Sequence, residues 1–273
     1  MVGIIVLVVV GIVALAWFVR QVEPRLAFYP FAGENRTPAD FGLAFTALTI
    51  ATTDGEQLRV WHLPRADAVA QVLYFHGNGG NLSLWSDILA GVVQHGYEVI
   101  AFDYRGFGVS TGAPTEQGLY RDVEAALALV DGPIRRKDLP LIYWGRSIGT
   151  AMAAYGASRR PPDGIVLEAG FPDARAILRD NPVMLALSLF ATYRFPTAEW
   201  MARVTAPALV IHGDADSVIR YELGQQLYGS LTGPKQFVTV AGGDHNDALP
   251  ADPAMYWGAV KDFVAAISAS RPR

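Results

Sequence analysis

The chain has 273 residues, with 22 Lys and Arg against 26 Asp and Glu, a net charge of −4 at neutral pH, and no cysteine. The mildly acidic balance argues against nucleic acid as a partner, and the missing thiols exclude disulfides, thiolate metal sites and a Cys nucleophile. About 250 residues beyond the first apolar segment suit one large domain with a substantial core.

Residues 1–19 carry no charge and are apolar apart from Gly3 and Gly11. As a helix they would span about 28 Å at roughly 1.5 Å per residue, close to the ~30 Å of a bilayer's hydrocarbon. Trp17, Phe18 and Arg20 suit the interface. A cleaved signal peptide is the rival reading, with Ala14-Leu15-Ala16 as its small-residue site. The run lacks a basic n-region and is longer than the usual ~7–15 residues of an h-region. The expectation is therefore an uncleaved single-pass anchor, residues 1–20, that localises the protein and takes no part in its chemistry. Arg20 and Arg25 follow the span, and the positive-inside rule then leans toward a cytoplasmic catalytic domain.

Residues 21–44 read as an irregular lead-in. Phe45–Ala51 and Gln57–Leu63 flank the turn sequence Thr53-Asp54-Gly55-Glu56 and form an antiparallel hairpin pattern. Six short apolar runs follow, each ending in polar or glycine residues and leading into a helical pattern: Val72–Phe75, Glu98–Phe102, Leu141–Trp144, Ile165–Leu167, Ala208–Ile211 and Gln236–Val240. The helical stretches are Leu82–His95, Gln117–Val130, Ile148–Ser158, Tyr221–Leu231 and Pro253–Ala269. This alternation predicts an α/β fold with about eight strands, mostly parallel and buried on both faces. Ligands of such sheets bind beyond the carboxyl ends of the strands.

At one such end stands Gly145-Arg146-Ser147-Ile148-Gly149, between the strand LIYW and the small-residue helix TAMAAYGA. G-x-S-x-G in this setting lifts a serine hydroxyl above the sheet on a tight turn, and glycines let strand and helix backbones approach. A serine capping a helix between two packing glycines is the plainer reading of the bare pattern. A nucleophilic serine needs a base and an orienting carboxylate, and two later strand ends supply candidates. One carries His212-Gly213-Asp214-Ala215-Asp216 and the other Gly242-Gly243-Asp244-His245. From position alone the acid is Asp214, Asp216 or Glu168, the last residue of the strand IVLE. Acyl transfer also needs two oxyanion donors; one is the backbone N–H of Ile148, and the glycine-rich loop His76–Asn81 is the source of the other.

The spaced motifs HGNGGN (76–81), DYRGFGVSTG (103–112), GRSIG (145–149), HGDADSVI (212–219) and GGDHND (242–247) resemble the α/β-hydrolase superfamily over nearly all of residues 45–269. The chain is most similar to its amino-terminally anchored serine hydrolases, which include protein depalmitoylases and esterases. That resemblance implies the α/β-hydrolase fold over 45–270 and a triad of Ser147, Asp216 and His245, in the superfamily's chain order. It also implies the amide of Asn78 as the second oxyanion donor, bracing roles for Asp103 and Arg105, and a small cap at about 171–205.

Within that cap, residues 181–191 read NPVMLALSLFA. This stretch suits an acyl-chain groove, a bilayer-facing surface, or a helix packed on the domain. The expected activity is cleavage of acyl esters or thioesters of lipid-like or small molecules. A serine peptidase or amidase, using the same residues, and a non-catalytic membrane-tethered binding module are the alternatives. No H-E-x-x-H, phosphate loop or dinucleotide fingerprint in its required setting occurs, so no metal or cofactor is expected.

Overall fold

A computed structural model describes residues 1–132, 134–247 and 252–271. The first helix, α1, spans Val2–Ala27, well beyond the expected end at residue 20. It is long and apolar enough to cross a membrane. A two-residue strand β1 (Tyr29–Pro30) and a 3₁₀ turn (Pro38–Phe41) follow, with no other helix or strand before Thr46.

The main sheet takes its strands from β2 (Thr46–Ala51), β3 (Gln57–Leu63), β4 (Ala70–Phe75), β6 (Tyr97–Phe102), β7 (Leu141–Arg146), β8 (Gly164–Glu168), β9 (Ala208–Gly213) and β10 (Lys235–Val240), with β5 (Gly79–Gly80) outside it. Its order is β10-β9-β8-β7-β4-β6-β3-β2. Pairing is parallel from β10 to β6 and antiparallel on both sides of β3. This is the eight-stranded, mostly parallel sheet that the apolar runs predict, with strand ends shifted by a residue or two.

The central strands are mainly apolar because both faces are covered; Gln71 in β4 and Glu98 in β6 are buried polar exceptions that hydrogen-bond to each other. In β4 every residue is buried; Leu73 and Phe75 enter one core while Val72 and Tyr74 enter the other, the period-2 alternation of a pleated strand. Each such large side chain contributes about 1.5–3 kcal/mol by leaving water. One face is covered by α2 (Leu82–Gln94) and α9 (Pro253–Ser270), the other by α3 (Glu116–Asp131), α4 (Ile148–Arg159) and α8 (Tyr221–Ser230). Side-chain caps start three of these helices: Asn81, Thr115 and Asp252 accept from the amides of Leu84, Gly118 and Met255.

Between β8 and β9 lie three short helices, α5 (Ala174–Ile177), α6 (Pro182–Leu187) and α7 (Thr197–Met201). They occupy the place expected for the cap. Helices α5 and α7 share the α3–α4 side of the sheet with Phe28, just past α1, whereas no residue of α6 is buried.

Candidate active site

Ser147 sits between β7 and α4 at φ 56° and ψ −124°, a strained backbone for a residue with a Cβ. Its neighbours explain how the turn closes. A Cβ on Gly145 would run into the carbonyl of Gly149, and one on Gly149 into the carbonyl of Phe75 at the end of β4. Glycine at both positions lets helix and strands meet without side chains between them, and the Ser147 amide donates to the Glu168 carbonyl at 2.9 Å.

The loops after β9 and β10 bring two further groups to this edge. Nε2 of His245 lies 3.0 Å from Oγ of Ser147, and its Nδ1 lies 2.8 Å from Oδ2 of Asp216. A carboxylate can only accept, so Nδ1 carries the proton and Nε2 is left to accept from the serine hydroxyl. Oδ1 of Asp216 accepts from the amides of Val218 and Ile219 at 2.9 and 2.7 Å. Burial alone would raise the Asp216 carboxyl, but hydrogen bonds from His212 and His245, with the Ile219 amide, outweigh it and hold it well below the usual carboxylate range.

The other candidates for the acid lie elsewhere. Asp214 is exposed and accepts from the Gly242 amide, whereas Glu168 accepts from the Trp144 indole and lies 3.8 Å from Arg146. His212 is buried against the Ile219 carbonyl, and His76 against the carbonyl of Gly77. Asp103 accepts from the Leu82 amide at the start of α2, and Arg105 bridges Asp54 of the β2–β3 turn and Asp122 of α3, which ties the loop after β6 to those elements.

Arg146, the variable residue inside the glycine motif, is buried and donates to the carbonyls of His245 and Asp247 at 2.9 and 2.7 Å. It therefore holds the histidine loop from below. A motif position that tolerates any residue gives no hint of this, although an arginine set between an apolar strand and an apolar helix was a signal.

Ser147, Ile148 and Asn78 open onto one cavity of about 420 Å³. Among the described residues, neither the Ile148 nor the Asn78 backbone N–H has a hydrogen-bond acceptor. Met184, Leu187 and Ala191 of the cap line the cavity, and so do Phe18, Val19 and Val22 of α1. Phe18 and Val19 belong to the segment expected only to localise the protein, and their place in the cavity wall was not foreseen, because composition does not reveal which face a helix docks. Among the described residues, no group of three or more His, Cys, Asp or Glu side chains is placed to hold a metal ion.

The comparisons agree with this architecture. The family model for serine aminopeptidase S33 matches residues 66–200. An uncharacterized protein of Mycobacterium tuberculosis is 31% identical over 265 residues, covering 96% of this chain and 93% of the relative. The lysophosphatidylserine lipase ABHD12 of Mus musculus is 28% identical, over 76% of this chain and 62% of that protein. Among solved structures, the esterase Pf2001 of Pyrococcus furiosus superposes with a TM-score of 0.72 at 18% identity, covering 89% of this chain and 98% of that one. The chain belongs to the α/β-hydrolase superfamily of serine hydrolases.

Proposed function

We propose that the protein hydrolyses carboxylic esters or thioesters through an acyl-enzyme, with Ser147 as nucleophile, His245 as general base and Asp216 as the residue that orients it. One observation carries the reading: the hydrogen-bonded series Asp216–His245–Ser147 ends on an apolar cavity. His245 Nε2 takes the Ser147 proton as Oγ attacks the acyl carbon, and the same proton then goes to the departing alcohol or thiol. The N–H groups of Ile148 and Asn78 stabilise the oxyanion. Water, deprotonated by His245, releases the acid and restores the serine.

The cavity has the size class of a small-molecule pocket and a mainly apolar wall, which favours an acyl chain as the group retained on Ser147. ABHD12 and the Pyrococcus protein, named as lipase and esterase, point the same way. The peptidase alternative draws on the aminopeptidase description of the matching family model. Such an enzyme needs an acceptor for a substrate ammonium. Glu23 is the sole acidic residue of the lining among the described residues, and its oxygens already accept from Thr192 and Tyr193.

Residues 1–19 serve in this reading as a single-pass anchor, with the hydrolase domain over 45–270 and its cap at 171–205. The two arginines after the span favour the cytoplasmic side for that domain by the positive-inside rule. The test compares nitrophenyl esters and acyl thioesters with an aminoacyl nitroanilide, using full-length protein and Ser147→Ala. Serine-dependent turnover of the esters is expected, and turnover of the anilide alone would transfer the chain to the peptidases.

A further inference from the structure

We propose that the last turns of α1 form a wall of the acyl site rather than a tether, that Glu23 latches this wall to the cap, and that the acyl chain reaches Ser147 from the bilayer along α1. This rests on the ester-hydrolase reading above.

The α1 residues that are not exposed are Ala16, Val19, Val22, Glu23, Pro24 and Ala27, a face that recurs every three or four residues, while residues 1–15 are exposed all round. Val2 to Val19 covers about 27 Å at roughly 1.5 Å per residue, nearly the ~30 Å of hydrocarbon in a bilayer. Phe18, Val19 and Val22 therefore stand at the boundary between hydrocarbon and headgroups, and these are the residues that wall the cavity containing Ser147. A lipid ester has the same arrangement, with its chain in the hydrocarbon and its carbonyl at that boundary. The cavity thus presents the nucleophile at the depth of the bond to be cut.

Glu23 shows that the docking is specific. It is buried, and no Lys or Arg pairs with it among the described residues. Its carboxylate accepts from the Thr192 amide at 2.9 Å, the Thr192 hydroxyl at 2.7 Å and the Tyr193 amide at 2.6 Å. The next two amides, Arg194 and Phe195, donate to Glu116 at the start of α3, both at 2.7 Å. Four consecutive cap amides are thus held by two carboxylates on different helices, and leaving such buried donors unmade is costly. Phe28 packs on the rings of Tyr193 and Phe195 at 5.6 and 6.2 Å.

The same segment grips the oxyanion loop. The Asn78 side chain donates to the Ala27 carbonyl at 3.2 Å, the Tyr29 amide donates to the Asn78 carbonyl at 2.9 Å, and β1 pairs with β5. A tether needs none of these contacts. A wall that must stay aligned with Ser147 and its oxyanion donors needs all of them.

The test uses the full chain in phosphatidylcholine vesicles and follows labelling of Ser147 by ethyl and dodecyl fluorophosphonates. Val22→Trp fills the cavity from the α1 side and is expected to lower the dodecyl-to-ethyl rate ratio by at least about tenfold, whereas Val9→Trp, in the exposed part of the same helix, leaves the ratio where it is. Val22→Ala opens the same wall without overpacking it and should raise the hexadecyl-to-dodecyl ratio. Glu23→Ala should lower the dodecyl rate, with partial recovery in Glu23→Gln, which keeps one accepting oxygen. Equal ratios for Val22→Trp and Val9→Trp, with Ser147 still labelled, overturn this inference alone. Failure of both probes to label Ser147 in the unmodified protein overturns the reading of the reaction, and this inference with it.

Discussion

Replacing Asp216 by asparagine changes one atom of the site and should reverse the proton arrangement of His245. Oδ1 of Asp216 is held by the amides of Val218 and Ile219 at 2.9 and 2.7 Å, so an asparagine keeps its carbonyl oxygen there. Its NH₂ must then occupy the position of Oδ2, 2.8 Å from His245 Nδ1. A donor at that point requires an unprotonated Nδ1, which puts the imidazole proton on Nε2, facing Ser147 Oγ at 3.0 Å. The histidine can then no longer accept the serine proton. In serine hydrolases this wrong tautomer costs about 10⁴-fold in kcat, or roughly 5 kcal/mol of barrier. Asp214→Asn is the control, because Asp214 is exposed and, among the described residues, its side chain accepts only from the Gly242 amide; its expected effect on stability is within about 0.5 kcal/mol. The assay is kcat for a soluble short-chain nitrophenyl ester, with urea unfolding to show that both variants are folded. A folded Asp216→Asn that loses less than about tenfold, or an Asp214→Asn that loses as much as Asp216→Asn, would refute the reasoning.

Gly149→Ala should destabilise the domain by about 2 kcal/mol or more, since the new Cβ meets fixed carbonyls of Phe75 and His76 rather than mobile side chains. The melting temperature is then lower by about 4–8 °C, and an unchanged value would show that the elbow is looser than described. Acid should expose the Asp216 carboxylate. Its folded pKa lies below the usual range, so its stabilisation is present above the unfolded value near ~3.9 and is lost as pH falls through the folded value. Urea unfolding between pH 7 and pH 3 should therefore show a steeper loss for the unmodified protein than for Asp216→Asn, and parallel losses would contradict the assignment.

The strands and long helices were legible because each obeys a rule that sequence displays. The run VLYF is apolar throughout since β4 is buried on both faces, and Asn81, Thr115 and Asp252 mark helix starts by their capping chemistry. Ser147 and His245 were legible from a tight elbow flanked by glycines and from a later strand end, whereas position left Asp214, Asp216 and Glu168 open as the acid and only the family resemblance singled out Asp216. The end of α1 was not legible. Pro24 near the end of a hydrophobic run reads as a breaker, yet it sits in the last turn, where the Phe28 amide still donates to its carbonyl at 2.9 Å. The partners of Glu23 are some 170 positions away in the chain, and no local pattern encodes such a contact. A lone acidic residue just past an apolar span was the only trace. Pairing of β1 with β5 was hidden for the same reason, being two residues long and set by tertiary approach.

The proposed reaction requires Ser147 to form the covalent acyl intermediate. Incubation of the full-length protein with a fluorophosphonate, followed by peptide mass spectrometry, tests it directly. A single adduct is expected on Ser147, absent from Ser147→Ala, whose kcat for the soluble ester falls by at least about 10³-fold because only binding and the oxyanion donors remain. An adduct on another serine, or ester hydrolysis undiminished in Ser147→Ala, would contradict it.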